Sequence, residues 1–196
     1  MVDSSNDFSQ KNLSGQNFHK AQLAGADFTE ANLTGANFAH ADLSNAQLTR
    51  ACLVNADLTS AQLDKADLTG ADLRGAILTH SSMNFTDLTE ANLTNATLNH
   101  ANLDRAVLNG ARLDRASLCD ARLSYAYLRH ASLVQADLNG ADLFAADLSN
   151  ADLYEASLSD TNLSAVTVTY ASFGRNAGLS QQTWEELSKQ GVVYYQ

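Results

Sequence analysis

The sequence predicts an all-β solenoid with four corners per coil, and three observations carry that prediction. Every fifth residue from Phe8 to Phe173 is large and apolar, without insertion or deletion. Of these 34 positions 27 are Leu and five are Phe, the others being Met83 and Val168. Two residues before each stands a second lattice, Asn6 to Ala171, in which 27 of 34 residues are Ala. The slot that ends each unit collects Gly15, Gly25, Gly35, Gly70, Gly75, Gly110 and Gly140, joined by Asn45, Asn55, Asn95 and Asn150. A fixed short period means one small unit stacked on itself.

Each element of the unit follows from its spacing. Five residues advance about 500° around an α-helix, so successive Leu would step by roughly 140° and never line a face. A long strand alternates its side chains, so an odd period would send successive Leu to opposite faces. A spacing of two, however, puts Ala and Leu on one side of a short extended segment, with the residue between them outside. The remaining two residues turn the chain, and Gly or Asn in the last slot suits the positive φ at the third position of a type II turn. Four such corners close a square, so one coil takes 20 residues and 34 units give about eight coils. Leu fills the interior and Ala is small enough for four walls to meet around it. Residues 20 apart stack, which places Phe8 above Phe28 on one wall and Phe18 above Phe38 on the opposite one. The first small slots hold Asn6, Lys11 and Gln16, a wet, open end.

The unit Ala-(Asp/Asn)-Leu-x-x, as in Ala26-Asp27-Phe28-Thr29-Glu30 and Ala71-Asp72-Leu73-Arg74-Gly75, resembles the motif of pentapeptide-repeat proteins. The resemblance covers about residues 6–175 and implies a right-handed quadrilateral β-helix. A repeat domain over 1–175 and a terminal segment over 176–196 are therefore expected. In that segment Ser180 suits a helix N-cap and Gly191 a C-terminal stop. Trp184 and Leu187 share a helical face, followed by Val192, Val193, Tyr194 and Tyr195. An open coil end exposes core Leu and unpaired backbone, so these residues are read as a cap over Phe173. Two forms stay open: a cap alone, or a cap that also makes a homodimer contact, as in several family members.

Charge and composition narrow the task. The chain has no Pro, no run of 18 apolar residues and no basic start leading into an apolar stretch. Neither a secretory signal nor a membrane span is read, and a cytoplasmic protein is expected. Cys52 and Cys119 lie more than three coils apart, too far to bridge, and suit a reducing compartment. Net charge is −10: residues 21–104 hold ten acids against three bases, and 130–170 hold six acids and no Lys or Arg. Between them Arg105, Arg112, Arg115, Arg122 and Arg129 form a basic belt against Asp114 and Asp120. This balance repels phosphates and argues against direct nucleic-acid binding.

Function should appear as columns on the outer walls. Ser60, His80, His100 and Asp120 form the column most like a catalytic or metal site, but a flat outer wall offers no pocket that excludes water. No catalytic, cofactor or metal residue is assigned, and an enzyme is not expected. Phe85, Arg105 and Tyr125 form a second column, in which Arg lies between aromatics. With Tyr127, Arg112, Arg115 and Arg122 these are the candidate protein-interaction residues, being types favoured at interfaces. Thr29, Thr49, Thr69 and Thr89 form a third column, beside Asp27, Gln47, Asp67 and Asp87, too charged for an ice-binding surface. The expected function is a non-catalytic protein–protein interaction scaffold whose partner the sequence does not name. The alternative comes from the resemblance: some family members are acidic rods that imitate DNA, bind the type II topoisomerase DNA gyrase and modulate quinolone sensitivity. The Arg belt interrupts such a surface.

Overall fold

The computed structural model describes residues 6–195. Parallel bridges join each outward residue to the one 20 ahead, from Asp7↔Asp27 through Asp72↔Asn92 to Ser157↔Ala177. The coil therefore takes 20 residues, and four walls rise in register. The first carries the bridge residues Asp7, Asp27 and so on to Asp147 and Thr167. The second carries Asn12 to Ser172, the third Asn17 to Ala177, and the fourth Gln22 to Asn162.

Three-residue walls are too short for extended ladders, so each coil edge is an isolated bridge rather than a strand. Within the stack the bonding is regular nonetheless. Leu33 N–H donates to the Cys52 carbonyl at 2.7 Å, Gly35 N–H to Val54 at 2.9 Å, and Asn37 N–H to Gln16 at 2.9 Å. At the corner Ala36 N–H closes the turn on the Leu33 carbonyl at 3.0 Å. Every unit-ending residue from Gln10 to Arg175 has positive φ, 27 of them non-glycine at +52° to +61° and seven glycines at +65° to +72°. Left-handed backbone costs an L-residue about 1–2 kcal/mol. The corner nevertheless accepts Phe85, Tyr125 and Tyr170, because burying each Leu returns about 1.5–3 kcal/mol and the ladder fixes the turn.

Between the two ends of the rod both inward lattices are buried: Leu58 and Leu98 are fully inaccessible, as are Ala56 and Ala101. Phe8 stacks on Phe28 and Phe18 on Phe38, both at 4.8 Å and 9°, with edge contacts between the pairs. Asn6, Lys11 and Gln16 are exposed at the open end. Two buried polar residues interrupt the Ala lattice. Thr86 Oγ1 donates to the Leu63 carbonyl at 2.8 Å, whereas Ser81 Oγ is buried with no protein partner among the described residues. Outside, the middle slot works locally: Asp27 Oδ1 accepts from Thr29 N–H at 2.9 Å, and Asn32 Nδ2 donates to Asn12 Oδ1 of the coil below at 3.2 Å. Such side-chain acceptors hold the turn backbone.

Beyond the coils come β1 (Ser172–Phe173), α1 (Gln181–Ser188) and β2 (Val193–Tyr194). The Ser180 hydroxyl caps α1 by accepting from Thr183 N–H at 3.1 Å. The helix stops at Ser188 with Lys189 as its C-cap, and Gly191, at φ +79°, turns the chain into β2 rather than ending the helix. β2 runs parallel to β1, pairing Ser172 with Val193 and Phe173 with Tyr194, so the tail adds a short tier to the second wall. Leu187 is buried against the core and Trp184 meets Phe173 edge-on at 6.1 Å. Gln190 completes the first wall: its Oε1 accepts from Val168 N–H and its Nε2 donates to the Val166 carbonyl, each at 3.1 Å. A side-chain amide thus stands in for a peptide group of the next coil. Among the described residues no helix is long and apolar enough to cross a membrane.

Candidate interaction surfaces

The coil register brings Phe85, Arg105 and Tyr125 into one vertical column at the corner between the fourth and first walls. The Arg105 guanidinium carbon lies 5.5 Å from the Phe85 ring centroid and 5.6 Å from that of Tyr125. Each ring presents its negative face to the cation, a contact worth about 0.5–1 kcal/mol when exposed. Phe85 is 51% exposed, and Tyr125 and Tyr127 are each 48% exposed. Around the corner Val107 and Tyr127 occupy bridge positions on the first wall, where Asp67 and Asp87 precede them. Phe144 meets Tyr125 edge-on at 5.5 Å. Phe85, Arg105, Val107, Tyr125 and Tyr127 line a shallow groove of about 490 Å³. Val107 is the member the column argument passes over. The signal is a β-branched apolar residue in a slot that mostly holds polar side chains, Ile77 being the other β-branched aliphatic there.

The remaining arginines do not join this edge as free cations. Arg112 and Arg115 lie on the second wall, Arg122 on the fourth and Arg129 on the first, so the belt spans three walls and leaves the third without an arginine. Arg122 pairs with Asp104 and Arg129 with Asp147, each at 2.5 Å, and Arg112 approaches Asp114 at 3.5 Å. Arg115 Nε donates to Gln135 Oε1 at 2.9 Å, and Gln135 donates on to Glu155 at 2.7 Å. Arg105 has no carboxylate partner among the described residues.

Other titrating groups are spent locally. Burial alone would raise the Asp147 carboxyl, but hydrogen bonds from Ser149 and Arg129 outweigh it and hold the group below its ordinary value. Arg74 donates to Asp72 and lowers that carboxyl likewise. The Cys119 thiol is pushed up, first by burial and then by Asp137, which opposes the thiolate a nucleophile needs.

His80 and His100 stack face to face at 4.9 Å and 10°, and His100 Nδ1 lies 3.8 Å from Asp120 Oδ2. Imidazole lone pairs lie in the ring plane, so stacked parallel rings aim theirs side by side rather than at one point. Among the described residues no group of three or more His, Cys, Asp or Glu side chains is disposed to hold a metal ion. On the Thr column, Thr49 Oγ1 donates to Asp67 and Thr89 Oγ1 to Asp87, at 3.0 and 2.6 Å. At the C-terminal end Leu187 is buried, Trp184 and Val192 are half-buried, and Val193, Tyr194 and Tyr195 are exposed.

A four-sided coil with a 20-residue rise defines a solenoid class, and the family comparison assigns it. The model of pentapeptide repeats matches residues 4–35, 21–59, 56–95, 86–124 and 121–160. The chain belongs to the pentapeptide-repeat family, whose fold is the right-handed quadrilateral β-helix. Among solved structures it is similar to a trypsin-treated variant of QnrB1, a plasmid-mediated fluoroquinolone resistance protein. The identity is 19% over 92% of this chain and 94% of that one, with a TM-score of 0.59. It is also similar to HetL, a pentapeptide-repeat protein involved in heterocyst differentiation in the cyanobacterium Nostoc. There the identity is 29% over 86% and 90% of the two chains, with a TM-score of 0.37. No curated protein matches the chain.

Proposed function

We propose that this protein is a non-catalytic scaffold that docks a protein partner on the edge formed by Phe85, Arg105, Val107, Tyr125, Tyr127 and Phe144. One observation carries this reading: an exposed guanidinium without a carboxylate partner among the described residues lies between two exposed aromatic rings. Aromatic and Arg side chains dominate binding energy at interfaces, and such an edge holds four rings and a cation in fixed register. Among the described residues no cluster of His, Cys, Asp or Glu converges on one point as metal-assisted chemistry requires. The reading includes a cytoplasmic location, matched to two free thiols, and leaves the exposed Tyr194 and Tyr195 available for a homodimer contact.

The topoisomerase-binding alternative has less support. The first wall is the most acidic, with Asp7, Asp27, Glu30, Asp67, Asp87, Glu90 and Asp147, yet Arg50, Val107, Tyr127 and Arg129 interrupt it. A phosphate mimic needs an unbroken run of negative charge to meet a basic saddle.

Photo-crosslinking tests the scaffold reading. A photoreactive residue at Tyr127 should capture a partner that one at Ser14 does not, and Arg105→Glu should abolish the product while lowering the melting temperature by no more than a few degrees, the worth of its two ring contacts. Equal capture at both positions, or capture that survives Arg105→Glu, would reject the docking edge. Inhibition of gyrase supercoiling at micromolar protein would move the assignment to the alternative.

A further inference from the structure

The four walls finish differently at the C-terminal end. The first ends on the Gln190 carboxamide, the second under β2, and the third against Ala177, whose carbonyl accepts from Leu158 N–H at 2.8 Å. On the fourth wall Asn162 N–H still bonds downward to the Ala141 carbonyl at 2.9 Å. Above it, the N–H groups of Leu163 and Ala165 and the carbonyl of Thr161 have no hydrogen-bond partner among the described residues. Leu163 is only half-buried. This edge floors a groove whose far side is α1. Two adjoining pockets of about 240 and 220 Å³ share Thr161, Leu163 and Thr183, and the first also meets Glu186 and Gln190.

We infer that this groove takes one extended segment of a partner protein as an added parallel strand. The coils define the required chemistry. The bridging residue of the incoming segment would donate its N–H to the Thr161 carbonyl and accept from Leu163 N–H. The carbonyl two residues on would accept from Ala165 N–H, as each coil does with the next. The residue before the bridge faces inward beside Thr161 and must be small. The residue after it lies over Leu163 and must be apolar. Charge selects the flanks: Asp160 and Glu186 line the two pockets, and no Lys or Arg lines either. The occupant is therefore a small–x–apolar segment with lysine or arginine around it. Main-chain bonds supply affinity and the alternating side chains supply selection. The groove lies on the last coil and does not depend on the aromatic edge around Arg105.

Amide NMR with a capped heptapeptide, core Ala-Lys-Leu flanked by lysines, tests the inference on the full chain. The Leu163 and Ala165 amides should shift saturably and gain protection from exchange. Methylating the central lysine's backbone nitrogen should weaken binding about tenfold, one lost main-chain bond with its steric cost. Glu186→Gln, a change on the exposed face of α1, should weaken it about two- to fivefold. Unshifted amides at millimolar peptide would overturn the inference, as would equal binding of the methylated peptide. Protection of both amides that grows with protein concentration alone would assign the groove to a second copy and overturn it too.

Discussion

Ser81 and Thr86 occupy the same kind of site and should respond to removal of their hydroxyls with opposite signs. Both side chains are buried in the slot that elsewhere holds Ala. Thr86 Oγ1 reaches the Leu63 carbonyl at 2.8 Å, while Ser81 Oγ has no partner among the described residues. An unsatisfied buried hydroxyl carries a desolvation penalty of about 1–3 kcal/mol, while a satisfied one contributes about 0.5–1.5 kcal/mol. Ser81→Ala restores the side chain the lattice uses and should stabilise by about 1–2 kcal/mol. For a chain of this size that raises Tm by about 2–8 °C. Thr86→Val keeps the shape and loses the bond, so it should destabilise by about 0.5–1.5 kcal/mol. Thermal and urea unfolding followed by circular dichroism read both. A lower Tm for Ser81→Ala would refute the premise that its hydroxyl is orphaned.

Three further outcomes are expected. Gln190→Ala removes both amide bonds to the first wall and should speed exchange of the Val168 N–H by about tenfold or more, each bond being worth about 0.5–1.5 kcal/mol. Gly140→Ala should cost more than Gly15→Ala in urea unfolding. Both positions carry the left-handed penalty of about 1–2 kcal/mol, but only at Gly140 would the new Cβ meet Asp120 Oδ1, at 2.2 Å, where Gly15 faces open space. The Asp72 carboxyl is lowered in the folded state, chiefly by the hydrogen bond from Arg74. Its contribution is complete above the unfolded value of 3.8 and is lost as pH falls through the folded one. Urea midpoints at pH 6 and pH 3 should therefore differ less for Asp72→Asn than for the unaltered chain.

The period alone made the coil legible, because only a four-cornered winding buries Leu and Ala at spacings of two and three. Stacking of Phe8 on Phe28, and of Arg105 between Phe85 and Tyr125, followed from adding 20 to a residue number. What the sequence concealed was contact across walls. The pairing of Arg122 with Asp104 and Arg129 with Asp147 depends on side chains leaning toward a residue 18 earlier or later, which no column predicts. The cap was legible as a helix begun by Ser180. The Gln190 carboxamide was not, since its partners, Val166 and Val168, lie a full coil earlier in the chain. The open edge at Leu163 likewise emerges only when neighbouring walls and α1 are placed together.

The quarter-turn carried by every five residues gives this architecture a discrete way to vary. Deleting one unit from the middle would leave Leu over Leu throughout and rotate all later side chains by ninety degrees relative to earlier ones. Loss of any unit between Phe85 and Arg105 would separate that pair onto adjacent faces, whereas loss of four together would shorten the rod and keep every remaining alignment. Units gained or lost singly therefore shuffle the outer surface while the interior stays indifferent, and the unbroken spacing from Phe8 to Phe173 holds one particular arrangement of faces fixed.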